Sequence, residues 1–211
     1  MKRLWLLAAC AAALSGCAAP QSAVRANAVP GFGAGVRTYA FMDGSDRQGE
    51  RGGQPDGFAP AVERRLAELG FTAAPQPVAR YRIALTHETR PASVGIEYGG
   101  CADEAPCGAP ALPPGFEWPG AKPYVHSLTL RFFDRTDGRE AYKVSAAKRD
   151  RDPDPGHAID ALVASALARL PFGETGTATG DRTGPTDWKI TLSKPGADAA
   201  PRVTGIAALA H

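Results

Sequence analysis

The sequence predicts an α+β domain in which two helices pack on one face of a mainly antiparallel sheet of about four strands. Three observations support this fold class: four segments alternate apolar and polar residues, two segments repeat apolar residues at helical spacing, and the elements follow the order β-α-β-β-β-α. Because each strand has a single apolar face to bury, both helices are expected to cover that face.

The first half of the chain is predicted to form a strand, a helix and a second strand. Residues 36–42 alternate in the period of a strand. A helix is predicted between Asp56, a suitable N-cap, and Gly70, a suitable C′ glycine. Its apolar positions are Phe58, Val62, Leu66 and Leu69. The apolar face of the second strand consists of Tyr81, Ile83 and Leu85.

The second half is predicted to form a β-hairpin and a second helix. The hairpin joins an alternating strand at 124–132 to a return strand at 142–146 through a tight turn that contains an Asp-Gly step. The second helix begins after Pro155 and ends before Pro171. Its apolar positions are Ile159, Leu162, Val163, Ala166 and Leu170.

Segments rich in glycine and proline flank and interrupt these elements. The 24 glycines and 19 prolines cluster rather than spreading evenly. We expect a flexible tether over 17–35, a domain over 36–172, a long loop over 91–123, and a Gly/Thr/Pro-rich tail over 173–211. The tail contains one additional candidate strand, at Trp188, Ile190 and Leu192.

The first 16 residues have the layout of an export signal. Lys2 and Arg3 precede an apolar run from Leu4 to Leu14, and small residues follow it. A bilayer-spanning helix needs roughly 20 apolar residues, so this run is too short to be a transmembrane anchor. The segment is therefore predicted to be removed from the mature protein.

The sequence Leu-Ser-Gly-Cys at 14–17 resembles the lipobox of bacterial lipoproteins. This resemblance implies cleavage before Cys17, addition of a diacylglycerol to its thiol, and acylation of its amine. Two or three acyl chains make membrane attachment stable, whereas one anchors only marginally. Ala18 stands where an aspartate would favour inner-membrane retention, so the resemblance implies sorting to the periplasmic face of the outer membrane.

Two cysteines remain once the signal and the lipidation site are set aside. Cys10 lies in the apolar run, which leaves Cys101 and Cys107 in the domain. In an oxidising periplasm we expect them to form a disulfide. A free pair and a metal-binding pair are the alternatives, and zinc is less favoured because neither a CxxC motif nor a nearby histidine pair accompanies them.

The layout of 36–172 also resembles Gram-negative lipoproteins that carry the domain of unknown function DUF4136. The resembling features are Thr-Tyr-Ala-Phe at 38–41, Leu-Ala-Glu-Leu-Gly-Phe at 66–71, the strand at 128–134 before its turn, and Leu-Pro-Phe at 170–172. The cysteine-bearing insertion and the tail depart from the family pattern. The resemblance supports the fold and the location, and it implies no established reaction.

The charge balance argues against a nucleic-acid partner. Removing Lys2 and Arg3 from the 24 lysines and arginines leaves 22 basic side chains against 22 acidic ones. Proteins that bind nucleic acid normally concentrate a basic excess on one face. The sequence also contains no polybasic patch for a membrane surface, so the lipid anchor is the predicted membrane contact.

No catalytic motif is present, and we predict neither an enzyme nor a cofactor. The chain contains no GxSxG elbow, no HExxH motif and no phosphate-binding loop. His87, His126 and His157 fall on separate elements and are interpreted as single, satisfied or exposed histidines. The acidic run of Asp150, Asp152 and Asp154 fits a solvated helix entrance better than a calcium loop, so no metal site is predicted.

The remaining hypothesis is an interaction role. Tyr98, Phe116 and Trp118 lie in the proline-rich loop at 91–123, where exposed aromatic residues often contact partners. The alternative is that they fold back over the second face of the sheet. The sequence thus favours a membrane-tethered binding or accessory protein of the cell envelope, with an envelope protein or a small molecule as its ligand. A periplasmic hydrolase with an unrecognised active site is the alternative function.

Overall fold

The computed structural model describes residues 19–42, 57–92, 123–169, 186–193 and 200–209. These ranges contain eight strands: β1 (Gln21–Ala28), β2 (Thr38–Phe41), β3 (Thr72–Ala73), β4 (Tyr81–Pro91), β5 (Tyr124–Asp134), β6 (Glu140–Asp150), β7 (Thr186–Leu192) and β8 (Val203–Ala208). They also contain two α-helices, α1 (Phe58–Glu68) and α2 (Ile159–Ala166), the second preceded by a 3₁₀ turn at Gly156–Ala158.

All eight strands belong to one mixed sheet in the order β3-β2-β4-β5-β6-β1-β7-β8. Strand β2 runs parallel to β3 and β4, and the other neighbouring pairs are antiparallel. Both helices pack on the sheet, so the α+β class is confirmed. The prediction of about four strands is wrong, because the chain segments on both sides of the predicted domain add strands to the same sheet.

The flexible tether predicted over 17–35 is wrong for 21–28, which form strand β1. This strand lies between β6 and β7 and pairs antiparallel with both. Its sequence, Gln-Ser-Ala-Val-Arg-Ala-Asn-Ala, contains a single β-branched residue, Val24, so its composition resembles a linker. Hydrogen bonding from two neighbouring strands, rather than intrinsic propensity, makes this segment a strand.

The predicted tail over 173–211 also contributes to the sheet. Strand β7 covers the candidate strand at Trp188, Ile190 and Leu192, and β8 adds a second strand at the edge. The intervening ranges 170–185 and 194–199, like the predicted signal segment and most of the loop at 91–123, lie outside the described residues.

The end of α1 agrees with the sequence prediction. Gly70 has a positive φ of 79°, and the amide of Phe71 donates to the carbonyl of Leu66 over 2.9 Å. This geometry satisfies carbonyl groups at the end of the helix and turns the chain back towards the sheet. As a result the Phe71 side chain is buried.

An aromatic cluster forms one end of the hydrophobic core. Phe32 stacks on Tyr142 with ring centroids 4.8 Å apart and meets the edge of Phe132 at 5.3 Å. Tyr81 completes the contact, with its ring 5.1 Å from Phe32 and its hydroxyl accepting a hydrogen bond from the Gly33 amide over 3.2 Å. Phe32 belongs to the segment predicted as a tether, and it is 5% exposed.

The helices cover the face of the sheet that carries the apolar side chains, called the helix side below. Val62 and Leu66 of α1 and Leu162 of α2 are fully buried against this face. The opposing sheet residues include Leu85, Leu128, Leu130, Val144 and Ile190. Full burial of a leucine side chain contributes about 1.5–3 kcal/mol, so this contact surface supplies most of the driving force for folding.

A partly buried ion pair joins β1 to β7 on the face opposite the helices. Arg25 and Asp187 lie directly opposite each other in the ladder, and Nε and Nη2 of the arginine each donate to one carboxylate oxygen over 2.7 Å. Asp187 is 4% exposed. The hydrogen bond from Arg25 to this carboxylate raises the pKa of the guanidinium, although burial opposes the shift. The two-point contact fixes the register of β1 against β7.

We expect Phe32→Ala to destabilise the protein by about 3–5 kcal/mol, because the substitution leaves a cavity among buried rings. Urea unfolding followed by tyrosine fluorescence measures the change. Val36→Ala is the matched control, since Val36 is 63% exposed and nearby in the chain. Equal, small effects of the two substitutions would contradict the placement of Phe32 in the core.

Asp187→Asn is expected to lower the free energy of unfolding by about 2 kcal/mol, because it leaves a partly buried guanidinium without its ionic partner. The control is Asp160→Asn, which breaks an exposed pair with Arg64. That change should cost no more than about 1 kcal/mol. A chemical denaturation series on both variants checks the difference, and a smaller loss for Asp187→Asn than for Asp160→Asn would count against a stabilising Arg25–Asp187 pair.

Candidate functional site

The most concentrated set of ionisable groups in the described residues lies at the end of the sheet where β4 and β6 end and β5 begins. The strand register aligns Thr89, His126 and Lys148 side by side on adjacent strands. Asp150 lies two residues after Lys148 on the same strand, and therefore on the same face. His157, in the 3₁₀ turn before α2, approaches this row from above the sheet.

His126 is fully buried, and both of its ring nitrogens are hydrogen-bonded. Nε2 lies 2.9 Å from the carbonyl oxygen of Asp152, and Nδ1 lies 2.9 Å from the hydroxyl of Thr89. A carbonyl oxygen only accepts, so Nε2 carries a proton, and in the neutral ring Nδ1 accepts from the hydroxyl of Thr89. The neutral form of His126 is therefore held in one tautomer by its neighbours.

The carboxylate of Asp150 contacts a lysine ammonium group, a histidine ring and a backbone amide. Its Oδ2 lies 2.5 Å from Nζ of Lys148 and 3.0 Å from Nε2 of His157. Its Oδ1 accepts the amide of Arg151 over 2.7 Å. Burial alone would raise the pKa of this carboxyl, but these hydrogen bonds and the charge of Lys148 outweigh burial and hold the pKa well below its ordinary value.

Burial has the dominant effect on the pKa of His126, and it lowers that pKa. The hydrogen bond to Asp152 and the charge of Asp150 act in the opposite direction without reversing the shift. The two groups therefore have different charge states near neutral pH, with a neutral imidazole beside an ionised carboxylate. Neither group is positioned as a free acid or base, because each is already engaged by its neighbours.

Ligand atoms of His126, Asp150 and His157 lie within 4.8 Å of one another, a separation that a metal ion could bridge. The surroundings fit a metal poorly. Nε2 of His126 donates its proton to a carbonyl, and Lys148 already binds Oδ2 of Asp150. A cation would have to displace both contacts, so we interpret the cluster as a structural hydrogen-bond network that joins β4, β5, β6 and the entrance of α2.

The carboxylates of the acidic run after β6 accept hydrogen bonds from backbone amides. Oδ1 of Asp152 accepts the amide of Asp154 over 2.9 Å, and Oδ1 of Asp154 accepts the amide of Gly156 over 3.0 Å. These are successive Asx turns that lead into the 3₁₀ turn. This use of the carboxylates agrees with the helix-entrance interpretation.

A separate cleft of about 660 Å³ lies between the two helices and the segment that enters β8. Its charged lining residues are Arg64, Arg65, Glu68, Asp160 and Arg202. Arg64 pairs with Asp160 and Arg65 with Glu68, each over 2.7 Å and with both partners partly solvent-exposed. These two surface pairs hold four of the five charged side chains, and the charges of the cleft do not form a convergent set of reactive groups.

Of the residues that the sequence analysis singled out, the structure describes three histidines but not the cysteines or the loop aromatic residues. Cys17, Tyr98, Cys101, Cys107, Phe116 and Trp118 all lie outside the described residues. Of the histidines, His87 stacks on Phe58 with ring centroids 4.7 Å apart. The rings of His126 and His157 meet at 6.1 Å, so the structure joins two histidines that the sequence treated separately. Only the strand register and the return of the chain after β6 reveal this contact.

Comparisons with known proteins give distant similarities only. No family model and no curated protein matches the chain. It is similar to a PDZ domain protein from Parabacteroides distasonis, with 15% identity over 89% of this chain and a TM-score of 0.45. The chain spans 43% of that protein. It is also similar to PelC from Paraburkholderia phytofirmans, described as a dodecamer in two structures, with 16% and 14% identity and TM-scores of 0.40. These alignments cover 70% of this chain and 95% of PelC.

Across the described ranges, no helix combines the length and the hydrophobicity needed to cross a membrane.

We expect His126→Gln to reduce the dependence of stability on pH between about pH 7.5 and 5. The folded pKa of His126 lies below the ordinary value of 6.5, so the unfolded chain binds more protons as the pH falls through this value. Stability from this residue is therefore present above about pH 6.5 and lost on acidification. Glutamine can still donate to the Asp152 carbonyl, but it does not titrate.

Urea unfolding at the two pH values, for the native protein and the variant, measures this effect. The lowered pKa of Asp150 affects stability over a more acidic pH range than His126 does. The stability that Asp150 contributes is lost only when the pH falls below the ordinary carboxyl value of 3.8. An identical pH dependence in the native protein and in His126→Gln would show that His126 is not the titrating group.

Proposed function

We propose that this protein is a membrane-anchored lipoprotein of the cell envelope with a non-enzymatic binding or accessory role. The observation that carries the proposal is the Leu-Ser-Gly-Cys sequence at 14–17, preceded by a charged start and an apolar run. By the lipobox resemblance, Cys17 becomes the acylated first residue, and the outer membrane is the expected location.

Few residues separate Cys17 from β1, so a lipid anchor at Cys17 would keep the folded domain close to the membrane. Strand β1 begins at Gln21, four residues after Cys17. An extended chain spans at most about 3.5 Å per residue, so the acylated residue is within roughly 14 Å of the sheet. The proposed anchor therefore holds the folded domain near the bilayer surface.

The strand register indicates which end of the sheet is nearest the proposed anchor. Ala23 pairs with Ala147 in an antiparallel ladder, so β1 begins at the end of the sheet where β6 ends. The His126, Asp150 and His157 network lies at this same end. We propose that the network keeps the chain entering α2 fixed where the domain approaches the membrane.

The arrangement of polar groups favours binding over catalysis as the role of the described domain. In the described ranges, the histidine and aspartate side chains that come together are engaged by a lysine, a hydroxyl and backbone groups. The cleft between the helices has paired charges on its rim. Neither arrangement provides a nucleophile with a free base beside it.

Cys17→Ser in the full-length precursor, expressed in a Gram-negative host, is expected to abolish incorporation of an alkyne-labelled palmitate and to leave the chain unprocessed. Without acyl chains the protein should leave the sedimented membrane fraction after carbonate washing. Cys10→Ala is the matched control and should be processed and labelled like the native protein. Ala18→Asp should move the labelled protein from the outer-membrane to the inner-membrane fraction of a sucrose gradient.

Unchanged labelling and sedimentation of Cys17→Ser would overturn the proposal of a lipid anchor. Retained labelling with an unchanged membrane distribution of Ala18→Asp would leave the anchor standing and contradict the sorting step.

A further inference from the structure

Three basic side chains lie next to one another on the face of the sheet opposite the helices, because the residues before and after each of them are buried on the helix side. Arg131 of β5 pairs directly with Lys143 of β6 and, on its other side, with Ala84 of β4. Arg82 of β4 pairs with Phe133, so it is diagonal to Arg131. Directly opposite Cβ atoms are about 5 Å apart, and diagonal neighbours are about 7–8 Å apart. The three basic residues, called the basic triad below, can therefore contact one ligand group together.

The basic triad carries more positive charge than its protein surroundings neutralise. Arg131 donates through Nε to Glu140, which offsets one of the three charges. Within the described residues, the side chains of Arg82 and Lys143 form no hydrogen bond or ion pair, and Nε of Arg82 is buried. Like charges at directly opposite positions destabilise a sheet, and a buried donor normally has an acceptor. An anion bound at the triad would satisfy both requirements.

The Arg131 guanidinium is held in position by two neighbours. It lies over the Phe133 ring, 5.0 Å from the centroid, and Nε is bound to Glu140. Its side chain is 48% exposed, and its Nη groups have no partner among the described residues, so they can donate to a ligand. A guanidinium fixed in this way loses little conformational freedom on binding, and its planar fork matches the oxygens of a phosphate group.

We propose that the basic triad binds the phosphate monoester group of a small, water-soluble ligand. The two positive charges that Glu140 leaves unbalanced match a phosphate monoester, whose charge is about −1.5 to −2 near pH 7. Donors from three adjacent strands suit the three terminal oxygens of such a group, whereas a carboxylate offers two oxygens. The chemistry of the triad therefore favours phosphate monoesters over carboxylates.

The position of the basic triad favours a dissolved ligand over the headgroups of the anchoring membrane, and this step rests on the proposed lipid anchor. Arg131 lies seven residues along β5 from Tyr124, which is at the end of the sheet where β1 begins. A strand rises about 3.3 Å per residue, so the triad is roughly 20 Å from that end. An anchor at Cys17 holds the start of β1 near the bilayer and leaves the triad in contact with the aqueous periplasm.

Equilibrium dialysis of the full-length protein in a non-ionic detergent, with radiolabelled inorganic phosphate as the probe, tests the proposal. Lys143→Gln and Arg82→Gln should each weaken phosphate binding by about tenfold or more, since each removes a charge-assisted hydrogen bond. Lys189→Gln is the matched control, because Lys189 lies on the same face of β7, outside the triad, and has no ion-pair partner among the described residues. It should bind phosphate like the native protein. Phenyl phosphate should displace the label at lower concentration than benzoate does.

The stability of Lys143→Gln separates a lost ligand contact from a damaged fold. In phosphate-free buffer this variant should unfold at the same urea concentration as the native protein or at a higher one, because the repulsion between Arg131 and position 143 is removed. Phosphate at constant ionic strength should then raise the melting temperature of the native protein more than that of the variant.

Equal phosphate affinity in the native protein and in Lys143→Gln, an equal loss in Lys189→Gln, or displacement by benzoate as effective as by phenyl phosphate would overturn the proposal. The affinity should be the same in phosphatidylcholine and in anionic phosphatidylglycerol vesicles. Loss of phosphate binding in phosphatidylglycerol vesicles alone would show that the triad contacts lipid headgroups and would contradict a dissolved ligand. Cys17→Ser should bind phosphate like the native protein, so failure of the lipid anchor is distinguishable from failure of the phosphate site.

Discussion

The insertion of β1 between β6 and β7 is the constraint on which the rest of the structure depends. The strand order places β2 to β6 on one side of β1 and the last two strands on the other. Among the described strands, β1 is the one that joins β7 and β8 by hydrogen bonds to the rest of the sheet. Two ladders, the burial of Val24 and Ala26, and the Arg25–Asp187 pair hold β1 in this position. Residue 17 lies only four positions before this strand, so the same insertion ties the N-terminal region to the centre of the sheet.

The elements predicted correctly from the sequence are those with a strong apolar period. Strands β4, β5 and β6 alternate over many residues, and the two helices repeat large apolar side chains on one face. These patterns identify the elements because a strand or helix that buries one face needs apolar residues at that spacing, whichever element it packs against. The helix end at Gly70 was also predictable, since a residue with positive φ strongly favours glycine.

The strands missed by the sequence prediction are built from small or weakly apolar residues. Strand β1 has alanine, serine and asparagine around Val24, and β8 has alanine and glycine beside Ile206. Such residues carry little periodic signal, and their strand conformation depends on ladders formed with segments far away in the sequence. The contact between His126 and His157 was missed for a similar reason, because it depends on the strand register and on the turn into α2.

The organisation of the sheet gives its two ends and its two edges different properties. One end combines the start of β1 with a network in which a buried neutral histidine and an ionised aspartate are both satisfied. Among the described strands, one edge of the sheet is formed by the two-residue β3 and the other by the six-residue β8.

Hydrogen exchange of the full-length protein, read by mass spectrometry over peptides from 21–28, tests the central role of β1 most directly. An inner strand paired on both sides should exchange its amides as slowly as β5 and β6 do, because exchange then requires opening of the sheet. Exchange of 21–28 at the rate of an unstructured peptide, while β5 and β6 remain protected, would contradict the account.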